Sequence, residues 1–164
     1  MNRIAPKSQT GFGMLEILIT VLVLAIGLLG VAILQTKGQR FSQSSYLRTI
    51  ASYKAYEMVD RMRANMTGVS TNAYDAAIGT PTVSTDCSQT SCTPAEMAVF
   101  DINEWNTTLA QMMPLGQGEV SGSGLGSTFT ITVRWDDERT GATGTGCSGN
   151  PQVDLACFEL DVRI

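Results

Sequence analysis

Glu16 is a carboxylate set in an otherwise apolar run, "TGFGMLEILITVLVLAIGLLG", four residues after Phe12. An ionised carboxylate in an apolar medium is costly unless a cation meets it, so the chemistry this residue offers is charge pairing. The other reactive side chains are Cys87, Cys92, Cys147 and Cys157, all in the distal half. Their close pairs suit two disulfides in an oxidising compartment. Four cysteines permit three pairings, and sequence alone does not choose. Cys87–Cys92 with Cys147–Cys157 is favoured because each bridge closes a short Gly/Ser/Thr-rich loop. None of the spacings is the tight C-x2-C of structural zinc or the C-x-x-C of a redox enzyme. Asp136, Asp137 and Glu138 bring calcium to mind, but they match no EF-hand spacing and read as a solvated turn. Histidine is absent, there is no G-x-S-x-G, and other carboxylates fall at turns or outward strand positions. No catalytic, metal or cofactor site is expected; the chain reads as a non-enzyme.

Charge is strongly polarised along the chain. Between Lys37 and Arg63 stand six basic residues and two acidic ones. From Met66 onward, twelve acidic residues outweigh Arg134, Arg139 and Arg163. An acidic distal domain repels phosphate, so direct nucleic-acid binding is not expected there. The basic middle suits DNA, anionic lipid or the acidic surface of a neighbouring subunit.

The element that must carry Glu16 is a helix. Ile17 to Leu34 is broken only by Thr20 and two glycines, and a helix from Phe12 to Leu34 reaches the ~30 Å of a bilayer core. A secretory signal has a shorter apolar core and a small-x-small cleavage site, and this stretch has neither feature. A plain signal anchor fits the length but leaves Glu16 unexplained. Arg3 and Lys7 precede the span while Lys37 and Arg40 follow it, so flanking charge does not orient it. The cysteines do: they place the distal domain outside the cytoplasm.

These residues carry a resemblance. Gly11-Phe12 followed by Glu16 resembles the cleavage and methylation signature of type IV prepilins. The resemblance implies that a prepilin peptidase, also the N-methyltransferase, removes residues 1–11 after Gly11 and methylates Phe12. It further implies that Glu16 of one subunit neutralises the Phe12 amine of the next, a pairing that sets register on docking. The helix has no obvious stop before Asn65 and Gly68; from Phe12 to Ala64 it would measure about 80 Å. Leu47, Ala51, Ala55, Met58 and Met62 form one stripe to lie against a sheet, with Lys54, Glu57, Asp60, Arg61 and Arg63 mostly away from it. The apolar repeat is too short for a coiled coil. Gly27, Gly30 and Gly38 permit close packing or loosening of the helix. Similar pilins often have a proline where this chain has Ile33.

Beyond the helix, 66–92 reads as a loop with Tyr74 and Ile78 as anchors. "CTPAEMAVFDINEWNTTLAQMMP" reads as a helix: Thr93 and Glu96 make a capping box, Pro94 suits the first turn and Pro114 ends it. Its core face is Ala98, Ile102, Trp105, Leu109 and Met112. Asn65 and Asn106 match an N-glycosylation pattern that carries little weight on helices. A short strand passes through Glu119 to Ser121. "STFTITVRW" puts Phe129, Ile131, Val133 and Trp135 inward and Thr128, Thr130, Thr132 and Arg134 outward. "CFELDVRI" puts Phe158, Leu160, Val162 and Ile164 inward, making the two strands antiparallel neighbours.

The stretches "EILITVLVLAIGLLGVA", "CTPAEMAVFDINEWNTTLAQMMPLGQGEV" and "ITVRW" resemble the type IV pilus modification (PilV) family of minor pilins. The fold class expected is α+β and pilin-like, a long N-terminal helix packed on a small antiparallel sheet. The organisation expected is a leader over 1–11, a transmembrane and assembly helix over 12–36, its amphipathic half over 37–65 and a disulfide-bonded periplasmic head over 66–164. What the resemblance implies is a minor pilin that primes assembly and enters the filament near its tip. Its partners would be other minor pilins, the major pilin, the peptidase and the inner-membrane assembly machinery. It would reside in the bacterial inner membrane and then in the surface pilus. Two other readings are a minor pseudopilin of a type II secretion system and an adhesive or DNA-capturing tip module. Gly11→Val is expected to abolish leader removal, because the peptidase needs an unhindered backbone. Mass spectrometry of the membrane-extracted chain checks this, and a variant that still loses residues 1–11 rejects it.

Overall fold

The computed structural model describes residues 13–75 and 77–164. Gly11 and Phe12 lie outside them, as does the side chain of Ile78. Helix α1 spans Met14–Ala64, and the chain divides into two units after Gln43.

In the first unit, no described residue of α1 is buried. In the second, α1 buries Leu47, Ala51, Ala55, Met58, Val59 and Met62, which recur at helical spacing. This stripe includes all five residues anticipated. Lys54 departs from expectation: it is buried, because its ammonium reaches Glu57 at 2.7 Å and its carbonyl accepts the Trp105 indole N–H at 2.9 Å. The expected helix end at Asn65 and Gly68 is also modified. Asn65 caps a further short helix, α2 (Met66–Ser70), accepting the Gly68 N–H at 3.1 Å, so Gly68 sits buried inside that turn. The 66–92 region is therefore not loop throughout; it holds α2 and the two-residue strand β1 (Ala77–Ile78), and Tyr74 is buried in it.

Helix α3 (Pro94–Met112) starts on the Thr93–Glu96 capping box, with bonds of 3.3 Å and 2.8 Å. Ala98, Ile102, Trp105 and Leu109 are buried as the periodicity requires. Met112 is not: it is 45% exposed, and Met113 is buried instead. The helix has ended there, and the extended backbone of Met113 (φ −131°, ψ 142°) turns its side chain into the core.

Strands β2 (Gln117–Ser121), β3 (Thr128–Trp135) and β4 (Ala156–Arg163) join β1 in an antiparallel sheet of order β1-β2-β3-β4. Phe129 stands opposite Val162, Ile131 opposite Leu160 and Val133 opposite Phe158. These side chains form one core with the α1 stripe and with Trp105. The other face is not wholly solvated, contrary to the strict alternation. Thr132 and Arg134 are buried, since Arg134 pairs with Glu119 at 2.7 Å and donates to the Thr145 carbonyl at 3.1 Å. The β3–β4 connection thus covers that end of the sheet.

Gly118 is where β2 passes under the Trp105 ring. Its N–H donates to Asn106 Oδ1 at 2.6 Å, and a Cβ there would overlap the indole. Gly118→Ala is therefore expected to destabilise the second unit by about 1–3 kcal/mol, the usual range for overpacking. The check is a urea titration followed by tryptophan fluorescence; an unchanged midpoint would contradict the close fit.

Candidate functional site

The first-unit helix is the surface least like that of a soluble protein. Large apolar side chains from Met14 to Leu34 all point outward, with Leu15 and Leu34 each 71% exposed. This helix is long and apolar enough to cross a membrane. Its interior polar groups are satisfied within the helix: Thr20 donates to the Ile17 carbonyl at 2.8 Å and Thr36 to the Ala32 carbonyl at 3.0 Å. Glu16 stands in the first turn, its backbone N–H bonded to the Gly13 carbonyl at 2.9 Å. Its carboxylate is exposed, and among the described residues no cation pairs with it. A negative group at a helix N-terminus is favoured by the macrodipole, but only by about 0.3–1 kcal/mol, far less than desolvation in lipid costs.

In the second unit, one cluster of charges is compensated internally. Arg61 donates to Glu57 at 2.9 and 3.2 Å, to Asp101 at 3.2 Å and to Glu104 at 2.6 Å. Asp101 also accepts the Tyr74 hydroxyl at 2.6 Å, and Tyr74 accepts from Asn65 at 3.2 Å. Six side chains, from α1, α3, the Asn65 cap and the turn after α2, are thereby tied together. Burial and the Asp101 hydrogen bond push the Tyr74 phenol above its ordinary range. Burial alone would lift Glu57, but hydrogen bonds from Lys54 and Arg61 outweigh it and hold its carboxyl below the usual value. Every ion in this cluster has a partner, so it clamps helices and offers no free acid or base. Sequence reasoning had Arg61 and Glu57 facing away. The available signal was their i,i+4 spacing, together with Asp101 and Glu104 three apart on α3.

The sulfur atoms are joined as Cys87–Cys92 and Cys147–Cys157, with Cα–Cα distances of 5.5 and 5.7 Å. Cys147 and Cys157 lie near the Glu159 carboxylate, but bonded sulfurs are not thiolate ligands. The acidic run after β3 is structural and not simply solvated. Asp136 is buried and accepts the Thr140 and Gly141 N–H groups at 3.0 and 2.8 Å, which folds the following loop back onto the end of β3. Asp137 accepts from the Trp135 indole at 2.8 Å and the Ser44 hydroxyl at 2.6 Å. Asn106 is buried, its amide donating to the Ile102 carbonyl at 3.2 Å and its Oδ1 accepting the Gly118 N–H at 2.6 Å.

An exposed apolar helix headed by a carboxylate, with its later turns packed on a small antiparallel sheet, defines a pilin-like α+β protein. The family described as Type IV pilin Tt1218 matches residues 34–103, and the prokaryotic N-terminal methylation motif matches residues 6–32. No curated protein and no solved structure matches the chain. These two matches support a type IV pilin-family protein with a prepilin N-terminal methylation motif, and type IV pilins are structural, non-catalytic proteins. The apolar helix and the motif are consistent with anchoring in the inner membrane.

Because the Glu57 carboxyl is held below its ordinary 4.5, its folded form binds fewer protons than the unfolded chain at acid pH. Its contribution is complete above 4.5 and is lost as pH falls through the lower value of the folded state. Glu57→Gln is expected to lower stability by about 1 kcal/mol near neutral pH, the upper range for a partly exposed pair. The difference from wild type should be smaller at about pH 3 than near neutral pH. Parallel urea titrations at the two pH values check it; a gap undiminished in acid would reject the ion-pair account.

Proposed function

We propose that this chain is a minor type IV pilin of the PilV kind, stored in the inner membrane and inserted into the pilus, where it primes assembly near the tip. The observation that carries the reading is a lone carboxylate in the first turn of an exposed membrane-length helix, inside the matched methylation motif. In this reading residues 1–11 are the leader, 12–36 the membrane and assembly segment, 37–65 the amphipathic half of the helix and 66–164 the periplasmic head. The prepilin peptidase cleaves after Gly11 and methylates Phe12, leaving an ammonium. The inner-membrane assembly machinery then docks the subunit with other minor pilins and the major pilin.

The pairing of Glu16 with the Phe12 ammonium of a neighbour supplies both register and driving force. An unpaired anion in hydrocarbon is expensive, so a subunit displaced by even one turn of helix loses that compensation. Internal compensation of the Arg61 cluster supports the same division of labour, with recognition left to the outer surfaces. The two paired disulfides suit a head that works outside the cytoplasm.

Glu16→Ala is expected to leave leader removal intact and to reduce filament incorporation by roughly tenfold or more, the order of effect of losing a buried charge pair. Mass spectrometry of the processed chain and immunoblotting of sheared filaments, done side by side, separate the two steps. Normal incorporation of the variant would reject the pairing role.

A further inference from the structure

We propose that Lys37 and Arg40, backed by Phe41, form a docking patch for anionic phospholipid headgroups at the distal face of the bilayer. This rests on reading α1 as a membrane span. The outward-facing apolar side chains end at Leu34, and the next charged residues are Lys37 and Arg40, both exposed. Lys37, Arg40 and Phe41 are spaced i, i+3 and i+4, which puts two cations and an aromatic ring on one helix face. Phe41 is 73% exposed.

Depth favours headgroups as the occupant. At ~1.5 Å per residue, the two backbones stand ~4.5 and ~9 Å beyond Leu34. The polar layer on each side of the hydrocarbon is about 5–7 Å thick, so Lys37 stands inside it and Arg40 just past it, on a helix whose side chains tilt back toward its N-terminus. Long Lys and Arg side chains lay their stems along apolar surface and put the charge at phosphate level. Only Gln35 and Thr36 lie between, and the Thr36 hydroxyl is turned back onto the Ala32 carbonyl. The first anions these side chains reach are therefore those of the lipid.

Charge makes the same choice. From Ile17 to Tyr56 the chain has no acidic residue. In the second unit, Lys54, Arg61, Arg63 and Arg134 each have a carboxylate partner, while Arg48, Arg139 and Arg163 do not; among the described residues Lys37 and Arg40 also have none, and they are the cations that directly follow the apolar run. Their counter-ions must come from outside the chain. A patch of this kind holds the stored subunit at one depth, and departure into a filament breaks the contact.

The test uses the full chain in nanodiscs of equal phosphatidylcholine and phosphatidylglycerol, with retained lipids counted by native mass spectrometry. Wild type is expected to retain the anionic lipid several-fold over the bulk ratio. The double variant Lys37→Gln, Arg40→Gln is expected to lose that several-fold preference and return to the bulk ratio. Arg63→Gln, in the second unit, should match wild type. A wild type at the bulk ratio, or a double variant with undiminished preference, overturns the patch. So does a double variant that alters cross-linking between copies while its lipid ratio stays unchanged, since the face then belongs to protein contacts. Flotation on pure phosphatidylcholine vesicles is run alongside. Failure to float would reject the membrane span itself, whereas flotation without lipid preference rejects only the headgroup patch.

Discussion

One helix must satisfy two different surroundings, and the rest of the molecule follows from that constraint. Apart from Glu16 and Thr20, the side chains of α1 up to Leu34 are apolar all round and none is buried; from Leu47 only one stripe is apolar and it is buried. A uniformly apolar helix is stable in lipid or among other such helices, where its backbone groups are already bonded internally. A striped helix is stable only when another element covers the stripe. The small sheet and α3 exist, in physical terms, to provide that cover.

The covering is organised around Trp105. Its ring fills the space above Gly118, and its N–H takes the carbonyl of Lys54, so α1, α3 and β2 meet at one side chain. A second tie lies close by in the Arg61 cluster, where α1 and α3 share four ionised groups and the Tyr74 hydroxyl. Partly buried ion pairs are weak sources of net stability but are intolerant of misplacement. Tryptophan and arginine thus divide the work: burial of the one supplies adhesion, and the geometry of the other selects a single seating of the two helices.

Charge in the second unit is divided between an internal cluster and an outer surface. The Arg61 cluster is spent on itself, and among the described residues every buried side-chain polar atom has a hydrogen-bond partner. What the unit presents outward is carboxylate-rich, while the α1 turns before it are basic and free of acidic residues.

Local rules carried much of the fold. The apolar run and Glu16, the α1 stripe, the capping box at Thr93 and the alternation of "TFTITVRW" are each governed by neighbours three, four or two residues away. The same is true of the basic turns after Leu34, whose exposure needs no knowledge of the head. Tertiary structure decided the rest, because it depends on what arrives from elsewhere in the chain. Lys54 is buried since Trp105 takes its carbonyl, and Arg134 since Glu119 and the Thr145 carbonyl reach it across the sheet. Met113 replaces Met112 in the core because the helix stops between them, and Asp136 is enclosed because the following loop folds back to bond it. Periodicity can say which way a side chain starts out from its own backbone. Whether water still reaches its end is settled by distant segments, and no spacing rule contains them.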